Sequence, residues 1–462
     1  MAVGDDTITA IATPFGTAGI GKIRISGPQA IDTADKLFQG KNTGSLKEVD
    51  TYTAHYGYVI NPENSKKVDE IISIVMKGPN SFTGEDVVEF DCHGGMVPLQ
   101  KVLELILSHG ARMAEPGEFS KRAFLNGRID LAQAEGIMEV INSKTEKGLD
   151  IAVNHMTGKL SDKVNSIRDK VVRLLAHLEA SIDFPEDEIE GYDPSELGER
   201  IEDIKKNIKN LLNTSQQGKI YQEGINTVIV GKPNVGKSSL LNYFLEENRA
   251  IVSEVPGTTR DVIEEFINLK GIPLKIIDTA GIRSTEDKVE KIGVEKTRDS
   301  LKKADLVLMM LDVHQGLSSE DLEVYELIKN KSVIIVLNKK DLPDNIEQKK
   351  IEKHFGEHPK LWISLKEDEG LNQLKEAIKE EVFKEELNTD EDVFITKVRH
   401  KNALENALKA INRVQEANNQ ELPNDFLTID LKECLDKIGE ITGDTVSEDI
   451  MDKIFSDFCI GK

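Results

Sequence analysis

The sequence predicts a multidomain protein in which an α+β domain, an all-α helical domain and an α/β domain share one chain. Short β-rich runs fill the first 119 residues, apolar residues recur at helical spacing on both sides of a central segment, and that segment alternates strands with helices. We expect the α+β domain over residues 1–119. The helical domain is expected over 120–217 and 386–462, with a doubly wound α/β domain inserted over 218–385.

Length, charge and cysteine content limit the classes of protein that fit. A chain of 462 residues is too long to fold around a single hydrophobic core and therefore suggests several domains. Its net charge of −23 argues against coating nucleic acid by charge alone, although a local basic patch or a second protein could still bring RNA to it. Cys92, Cys434 and Cys459 lack the spacing of a disulfide framework or a zinc site. Without a long apolar run or a signal peptide, we expect a cytoplasmic protein with no membrane partner.

Two features of the first 119 residues have roles that the pattern leaves open. Gly16–Gly21 superficially resembles a dinucleotide loop, but the strand Ile23–Ile25 follows it instead of a helix, so we expect a turn. His93, beside Asp91 and Cys92, could belong to a metal or catalytic cluster. Because no partner pair lies nearby, a structural loop histidine is favoured. Further strands and one helix are predicted at Tyr56–Ile60, Glu70–Val75, Val87–Phe90 and Val97–Leu107.

The two predicted helical segments carry apolar faces that need partners. Asp130 and Gln133 have the spacing of a capping box, and a break is expected at Gly158. The simplest arrangement packs both segments into one bundle around the insertion. The predicted helices lie at about 131–141, 147–181, 195–215, 402–416, 427–438 and 450–458.

The stretch Gly231–Ser239 matches the phosphate-loop pattern G-x-x-x-x-G-K-S/T, between a predicted strand and a predicted helix. Gly231 and Gly236 let the backbone curl so that successive N–H groups face one anion. Lys237 adds a charge near the outer phosphates, and Ser238 can place its hydroxyl on Mg²⁺.

Four further motifs follow in an order typical of GTPases. In the first motif, Pro256–Asp261, a threonine hydroxyl could complete the Mg²⁺ shell. In the second motif, Ile276–Gly281, an acid ends an apolar strand near the metal and the γ-phosphate. In the third, one carboxylate can accept the N1–H and the 2-amino group of guanine, which adenine lacks, and Lys339 can lie over the ring. The motifs are Pro256–Asp261, Ile276–Gly281, Asn338–Asp341 and Ser364–Lys366.

The residue that follows Gly281 differs from the pattern of Ras-like GTPases. Those proteins orient the attacking water with a glutamine, whereas this chain has Ile282, which cannot hydrogen-bond water. Composition alone makes Glu290 and its acidic neighbours a solvated surface. Arg283 could be a surface charge, and no arginine finger can be assigned.

The chain ends in Cys459-Ile460-Gly461-Lys462, which fails as a prenylation signal because Gly461 is not aliphatic. A frayed tail is the usual state of a terminus. Alternatively, the amphipathic helix before it would deliver a thiol and an ammonium group to a defined place.

Taken together, these motifs resemble the MnmE (TrmE) family of tRNA-modification GTPases over the whole chain. The GTPase motifs and the terminal tetrapeptide are joined by further segments that carry the resemblance: Ala12–Pro14, Ile23–Gly27, Ser81–Asp86, Pro116–Phe119 and Arg122–Asn126.

The resemblance implies a folate-binding-like N-terminal domain that forms a homodimer, and a flavoprotein partner, MnmG, in a heterotetramer. Such proteins install an aminomethyl or carboxymethylaminomethyl group at the 5-position of the wobble uridine of certain tRNAs. The one-carbon source is 5-formyl- or methylene-tetrahydrofolate. The implied folate contacts are Arg24, Glu89, Arg128 and Lys462, and some relatives carry lysine where Arg128 stands. Cys459 is implied to be a functional thiol.

The resemblance also implies a Ras-like, K⁺-stimulated GTPase in which Glu290 orients the hydrolytic water. The implied Mg²⁺ ligands are Ser238 and Thr259. The implied K⁺ ligands are Asn234, Ser253, Val255 and Thr258. The family's last motif is often Ser-Ala-Lys, whereas this chain has the bulkier Leu365. The implied GTP contacts are Asn234, Val235, Gly236, Lys237, Ser238, Ser239, Ser253, Glu254, Val255, Pro256, Gly257, Thr258, Thr259, Asp278, Thr279, Ala280, Gly281, Asn338, Lys339, Asp341, Ser364, Leu365 and Lys366.

Two other functions remain open at this point. The chain could be a GTPase of ribosome assembly or translation whose flanking domains adapt it to RNA. It could also be a folate-dependent one-carbon transferase that its nucleotide domain regulates.

Overall fold

A computed structural model describes residues 6–183, 193–248, 265–277, 300–343, 345–383 and 393–462. In this structure an N-terminal α+β domain, a helical bundle and an inserted nucleotide-type domain each have their own hydrophobic core.

The N-terminal domain is built on a sheet of seven described strands in the order β3-β4-β5-β6-β2-β1-β7. Neighbouring strands are antiparallel except for β1 and β7. Helices α1 and α2 pack on one face, where Ile23, Val88, Phe90, Leu99 and Val102 form the core. The elements are β1 Thr7–Ile11, β2 Ala18–Ser26, α1 Ala30–Leu37, β3 Phe38–Gly40, β4 Thr53–Asn61, β5 Lys66–Met76, β6 Val87–Gly94, α2 Met96–Ser108 and β7 Ala111–Met113.

Two local predictions for this domain are wrong. Gly16–Gly21 does not form only a turn, because β2 begins at Ala18 and runs through Gly21. Gly21 is needed there for packing, since a Cβ atom on it would lie 2.5 Å from Leu99 Cδ1. His93 is not a loop residue either, because β6 extends to Gly94.

The first helical segment follows the predicted pattern closely. The Asp130 side chain accepts a hydrogen bond from the Gln133 N–H and the Gln133 side chain accepts one from the Asp130 N–H, which confirms the capping box. Gly158, with φ of +93°, separates two helices as expected. The helices are α3 Glu118–Leu125, α4 Leu131–Asn142, α5 Glu146–Met156, α6 Lys159–Asp183, α7 Pro194–Asn213 and α8 Ser215–Glu223.

The inserted domain has the predicted doubly wound architecture. Its described strands follow the order β13-β12-β11-β8-β10-β9, and all but the edge strand β9 pair in parallel. Helices pack on both faces, since Phe244 and Leu374 belong to one core and Tyr325 and Phe355 to another. The elements are β8 Ile225–Val230, α9 Lys237–Asn248, β9 Glu265–Leu269, β10 Ile272–Ile276, β11 Leu306–Asp312, α10 Ser319–Ile328, β12 Ser332–Asn338, α11 Gln348–Phe355, β13 Lys360–Trp362 and α12 Leu371–Val382.

The chain then returns to the helical domain, and both helical segments form one bundle as expected. Leu174 and Ile204 from before the insertion share a core with Leu404, Ile411 and Leu431 from after it. The returning helices are α13 Val398–Asn419, α14 Asn424–Thr442 and α15 Glu448–Ser456.

Buried polar contacts fix the segment that returns from the inserted domain. His155 on α5 lies 2.6 Å from a Glu139 carboxylate oxygen and 2.8 Å from the Phe394 carbonyl oxygen. The Thr396 hydroxyl donates to the other Glu139 oxygen at 2.6 Å, and the Ile395 N–H donates to the Thr214 hydroxyl at 3.0 Å. The entry and exit of the inserted domain therefore lie side by side on the bundle.

Candidate functional site

The phosphate loop leaves the carboxyl end of β8 and wraps to the start of α9. A Cβ atom on Gly231 would lie 2.4 Å from the Met310 carbonyl oxygen, and one on Gly236 would lie 2.4 Å from Asn338 Nδ2. Both glycines have positive φ, of +142° and +109°. Side chains are therefore excluded where the backbone must curl around an anion, which fits the expected phosphate cradle.

Lys237 is held across this loop. Its Nζ donates to the carbonyl oxygens of Gly231 at 2.7 Å and Lys232 at 2.6 Å. Burial lowers the pKa of Lys237, because desolvation disfavours the ammonium form. A phosphate in the loop would offer this ammonium a stronger acceptor than neutral carbonyl oxygens. Ser238 and Ser239 follow in the first turn of α9.

The two motifs expected around the guanine base meet beside the phosphate loop. Asn338 Nδ2 donates to the buried Val235 carbonyl oxygen at 2.8 Å, while Asn338 Oδ1 accepts from the Leu365 N–H at 3.4 Å. The Ser364 hydroxyl donates to Asp341 Oδ1 at 2.7 Å and lowers the pKa of Asp341. The bulkier Leu365 is compatible with this arrangement.

Lys339 is positioned by a residue that sequence reasoning missed. Its Nζ lies 2.6 Å from Asp312 Oδ2, and the buried Asp312 also accepts the His314 N–H at 3.0 Å. Asp312 ends β11 beside Asn338 at the end of β12. The available signal was an acid directly after the apolar run Leu306–Leu311. Lys366, in contrast, is exposed and pairs with Glu367.

Many residues expected at the nucleotide site lie outside the described residues. The magnesium ligand Thr259, three of the four potassium ligands and the water-orienting Glu290 therefore stay predictions. The residues concerned are Ser253, Glu254, Val255, Pro256, Gly257, Thr258, Thr259, Asp278, Thr279, Ala280, Gly281, Ile282, Arg283 and Glu290.

A second candidate site forms where the C-terminal tail meets the N-terminal domain. Gly461, with φ of +93°, is so close to β1 that a Cβ atom would lie 2.8 Å from the Ile11 carbonyl oxygen. The Gly117 N–H donates to the Cys459 carbonyl oxygen at 3.4 Å, and Arg24 Nη1 donates to the Gly461 carbonyl oxygen at 3.1 Å. The tail is therefore placed in a defined position and is not frayed.

Arg24 and Glu89 form the centre of this second site. They are direct cross-strand partners on β2 and β6, and Arg24 Nε donates to Glu89 Oε1 at 2.9 Å. The rings of Phe82 and Phe119 lie 5.6 and 5.5 Å from the guanidinium carbon. Lys462 directly follows Gly461, whose carbonyl oxygen bonds to Arg24, and burial, followed by the charge of Arg24, lowers the pKa of the Lys462 ammonium group.

Lys22, which lies two residues before Arg24 on β2, also contacts Glu89. Its Nζ lies 2.5 Å from Glu89 Oε2 and 2.9 Å from Asp91 Oδ1. Burial opposes ionisation of Glu89, but Arg24 and Lys22 outweigh it, so the pKa of Glu89 lies below its usual value. The sequence analysis did not name Lys22 and considered Asp91 only beside His93, although their two-residue spacing from Arg24 and Glu89 on strands places each pair on one face.

Three of the four residues expected to contact folate are brought together, and the fourth is not. Arg24, Glu89 and Lys462 share the second site, and Cys459 lies exposed in the adjoining tail. Arg128 is exposed between α3 and α4, and among the described residues it makes no ion pair. No cluster of three metal-ligating His, Cys, Asp or Glu side chains occurs in the described part of the chain. None of the helices described is long and apolar enough to cross a membrane.

A phosphate loop at the end of a central strand, with an Asn-x-x-Asp loop beside it on a doubly wound sheet, defines a P-loop GTPase. Two family models together match nearly the whole chain. The one described as "GTP-binding protein TrmE N-terminus" matches residues 7–128, and the one described as "MnmE helical domain" matches residues 131–459. The chain belongs to the MnmE family.

Relatives match over nearly the whole chain. The "tRNA modification GTPase MnmE" of Alkaliphilus metalliredigens and that of Clostridioides difficile are each 51% identical over 458 residues, covering 99% of this chain and 99% of their own. The Bacillus subtilis protein of the same name is 46% identical, covering 99% of this chain and 100% of its own. Among solved structures, Aquifex aeolicus Era bound to GDP.AlF4- is 33% identical and covers 40% of this chain and 65% of its own. Its TM-score is 0.27.

Asp341→Asn should exchange the base preference of the nucleotide site. An amide presents only one acceptor to the two guanine donors, and charge-assisted hydrogen bonds contribute about 1.5–3 kcal/mol, so we expect GTP affinity to fall about 10- to 150-fold. Xanthosine triphosphate, which has a carbonyl in place of the 2-amino group, should gain affinity. Competition with a fluorescent nucleotide measures both. Asp368→Asn, a nearby exposed acid, is the control, and unchanged GTP binding in D341N would remove Asp341 from base recognition.

Proposed function

We propose that this chain hydrolyses GTP to drive the modification of the wobble uridine of certain tRNAs to 5-aminomethyl or 5-carboxymethylaminomethyl uridine, with a flavoprotein partner of the MnmG type. The observation that carries the proposal is the presence, in one chain, of a guanine-nucleotide site and of a charged cluster suited to a folate. Relatives with 46 and 51% identity are named tRNA modification GTPases. We place the protein in the cytoplasm, where tRNA is modified.

The residues of the GTPase domain have separate tasks in this proposal. The loop from Gly231 to Gly236 binds the phosphates through backbone N–H groups, and Lys237 moves from the loop carbonyl oxygens to the outer phosphates. Asp341 accepts the guanine donors. Lys339 covers the base. Bound Mg²⁺ would neutralise phosphate charge, with Ser238 as a ligand.

The potassium proposal starts from Asn234. This residue has a φ of +64°, in the left-handed region, which places an amide-bearing side chain at a sharp bend of the phosphate loop. A carbonyl-type oxygen at that position suits a hard monovalent cation. Ser253, Val255 and Thr258 are proposed to complete the K⁺ shell and Glu290 to orient water, on family resemblance alone.

The folate proposal rests on the charges around Arg24. The lowered pKa of Glu89 keeps its carboxylate ionised, so that it can accept N–H groups from a pterin. Arg24 and Lys462 supply cations for carboxylates of the folate tail, and Phe82 and Phe119 supply apolar walls. Lys22 can stay paired with Asp91 when Glu89 accepts a pterin donor. A bound tetrahydrofolate, as the 5-formyl or methylene form, would supply the one-carbon unit.

The homodimer is proposed to form through the open face of the N-terminal sheet, which we define as the face opposite α1 and α2. Tyr56 and Ile72 are cross-strand partners on this face, and each is 45% exposed. Ile20, which is 64% exposed, adds to the same surface. Exposed apolar side chains on an uncovered sheet face favour association, and a two-fold axis buries such a patch on both copies.

Transfer RNA from cells that lack this chain should lose the 5-aminomethyl-type modifications of its wobble uridine. Nucleoside mass analysis measures the loss, and restoration by the unaltered gene is the control. A normal modification pattern would contradict the proposal. Copurification with ribosomal subunits instead of tRNA would favour a GTPase of ribosome assembly.

Glu89→Gln should weaken the binding of 5-formyltetrahydrofolate to the full chain about 10- to 150-fold, because a neutral amide replaces a charged acceptor. Titration calorimetry measures the affinity. Glu104→Gln, on the exposed side of α2, is the matched control. GTP hydrolysis should be unchanged in both variants. If the unaltered chain did not bind folate, the one-carbon part of the proposal would fall.

Hydrolysis of GTP should be faster in potassium than in sodium buffer, and Asn234→Ala should abolish the difference. Glu290→Ala should retain GTP binding and lose about 100-fold or more in hydrolysis rate, as expected for a group that assists proton transfer. Phosphate release measures the rates, and Glu320→Ala on the exposed side of α10 is the control. Equal rates in the two salts would count against the potassium site.

A further inference from the structure

The phosphate loop between β8 and α9 is fixed at two points. Near its end, Asn338 Nδ2 donates to the Val235 carbonyl oxygen at 2.8 Å. Near its start, Lys232 Nζ lies 2.9 Å from Asp321 Oδ2 and donates to the Ser318 hydroxyl oxygen at 2.9 Å. The first contact comes from the guanine motif. The second joins the loop to the start of α10, a segment outside the GTPase motifs.

Asp321 does more than cap α10. In the capping box, the Ser318 hydroxyl oxygen accepts the Asp321 N–H at 3.4 Å, and Asp321 Oδ2 accepts the Ser318 N–H at 3.0 Å. These bonds need no cation. Lys232 nevertheless brings an ammonium group to the same carboxylate oxygen. The contact between the loop and the helix is therefore additional to the cap.

The pair of Lys232 and Asp321 is largely shielded from water. The Asp321 side chain is 1% exposed and the Lys232 side chain is 18% exposed. The second carboxylate oxygen of Asp321, Oδ1, is buried and bonds to no residue that the structure describes. A buried carboxylate needs a cation close by, because the loss of water is costly for an ionised group. Lys232 supplies that cation, so the pair resists separation.

Lys232 also connects this pair to the lysine that is expected to bind the outer phosphates. Its carbonyl oxygen accepts a hydrogen bond from Lys237 Nζ at 2.6 Å. The side chain of Lys232 thus contacts α10 while its carbonyl group contacts Lys237. When GTP takes the Lys237 ammonium group, the loop loses this internal bond. The contact with Asp321 then remains to hold the loop backbone in place.

A different role for Lys232 would be that of a second cation for the phosphates. Lys237, which is expected to move to the phosphates, is held by neutral carbonyl oxygens that it can leave easily. Lys232 is held by a buried carboxylate instead. If it left for a phosphate, the Asp321 charge would stay buried and unpaired, which is strongly unfavourable. The geometry therefore favours an anchor over a phosphate ligand.

We propose that Lys232 and Asp321 are positioning residues for GTP, which anchor the start of the phosphate loop to α10 so that its N–H groups face the phosphates before GTP arrives. A loop that is already ordered loses less conformational freedom on binding, so the affinity rises. The assignment rests on the proposed binding of GTP by this loop. It is independent of the tRNA, folate and potassium proposals.

The connection between β11 and α10 thereby holds one lysine on each side of the nucleotide site. At its start, Asp312 pairs with Lys339 of the guanine motif at 2.6 Å. At its end, Asp321 pairs with Lys232 of the phosphate loop. The first contact belongs to the base and the second to the phosphates. Loss of the second contact should therefore weaken nucleotide binding without changing the base preference.

The nucleotide affinity of full-length variants tests the pair. Lys232→Met removes the ammonium group and keeps the capping box, and we expect it to lower the affinity for both GTP and GDP about 10-fold. The ratio of GTP to ITP affinity should stay the same, because ITP lacks only the 2-amino group that the guanine motif recognises. Lys232→Arg, which retains the charge, should restore the affinity. Competition with a fluorescent nucleotide measures all of these values.

The matched control is Lys270→Met. Lys270 pairs with Glu376 on the surface of the same domain, and both side chains are well exposed. Exposed ion pairs contribute little, so this variant should bind GTP like the unaltered chain.

A double-variant cycle shows whether the two residues act together. Asp321→Asn keeps the size of the side chain and removes its charge, so it should also lower GTP affinity. Asp321→Asn added to Lys232→Met should cause no further loss, because the pair is already broken. The double variant carries no unpaired buried charge, so it remains informative if either single variant unfolds. Thermal unfolding of each variant separates affinity from stability.

Phosphorus NMR of bound GDP distinguishes positioning of the loop from a role in stability alone. The β-phosphate signal depends on the loop N–H groups that surround it. We expect this signal to move in Lys232→Met and to return in Lys232→Arg. A variant that merely destabilised α10 would bind GDP with an unchanged signal.

The possible outcomes separate the alternatives. Unchanged GTP affinity in folded Lys232→Met overturns the assignment, and the pair then supports only α10. Higher affinity in Asp321→Asn overturns it in favour of a lysine that binds phosphate directly. Additive losses in the double variant show that the residues act independently and overturn the pairing. If the unaltered chain does not bind GTP, the proposed GTPase function falls and the assignment falls with it.

Discussion

The contact between Arg24 and the C-terminal tail determines how the rest of the molecule is arranged around the second site. Arg24 Nη1 bonds to the Gly461 carbonyl oxygen, 437 residues away in sequence, while its Nε bonds to Glu89. A half-buried guanidinium needs such acceptors, because an unpaired charge in a partly apolar setting is costly. One side chain therefore contacts the tail, the sheet and the rings of Phe82 and Phe119.

Helix α4 lies between this site and the inserted GTPase domain. One side of it packs, through Leu131 and Met138, against Phe455 and Phe458, which lead into the C-terminal tail. The other side presents Glu139 to the segment that returns from the GTPase domain. A displacement of that segment after GTP hydrolysis would act on Glu139, which is adjacent in sequence to Met138 in the core that contains Phe455 and Phe458.

The sequence predicted the domain order, the bundle and the GTPase class because these depend on periodicity and on short motifs. Gly231 and Gly236, for example, have the spacing of a phosphate loop, a short motif that can be recognised without knowledge of the tertiary structure. It could not predict the site around Arg24 from local patterns, because Lys22, Asp91 and the tail meet only through strand register and tertiary packing. His93 was misjudged for the same reason: its partner Asp69 is 24 residues away on the next strand.

The junction of Thr214 with Ile395 also bears on how the bundle assembles. These two residues are hydrogen-bonded across 181 residues of intervening chain. In a flexible chain, closing such a loop has an entropic cost that grows as about 1.5 RT times the logarithm of its length. A GTPase domain that folds first, with its two ends side by side, removes most of that cost. The folded insertion then holds the two halves of the bundle close to each other before they pack.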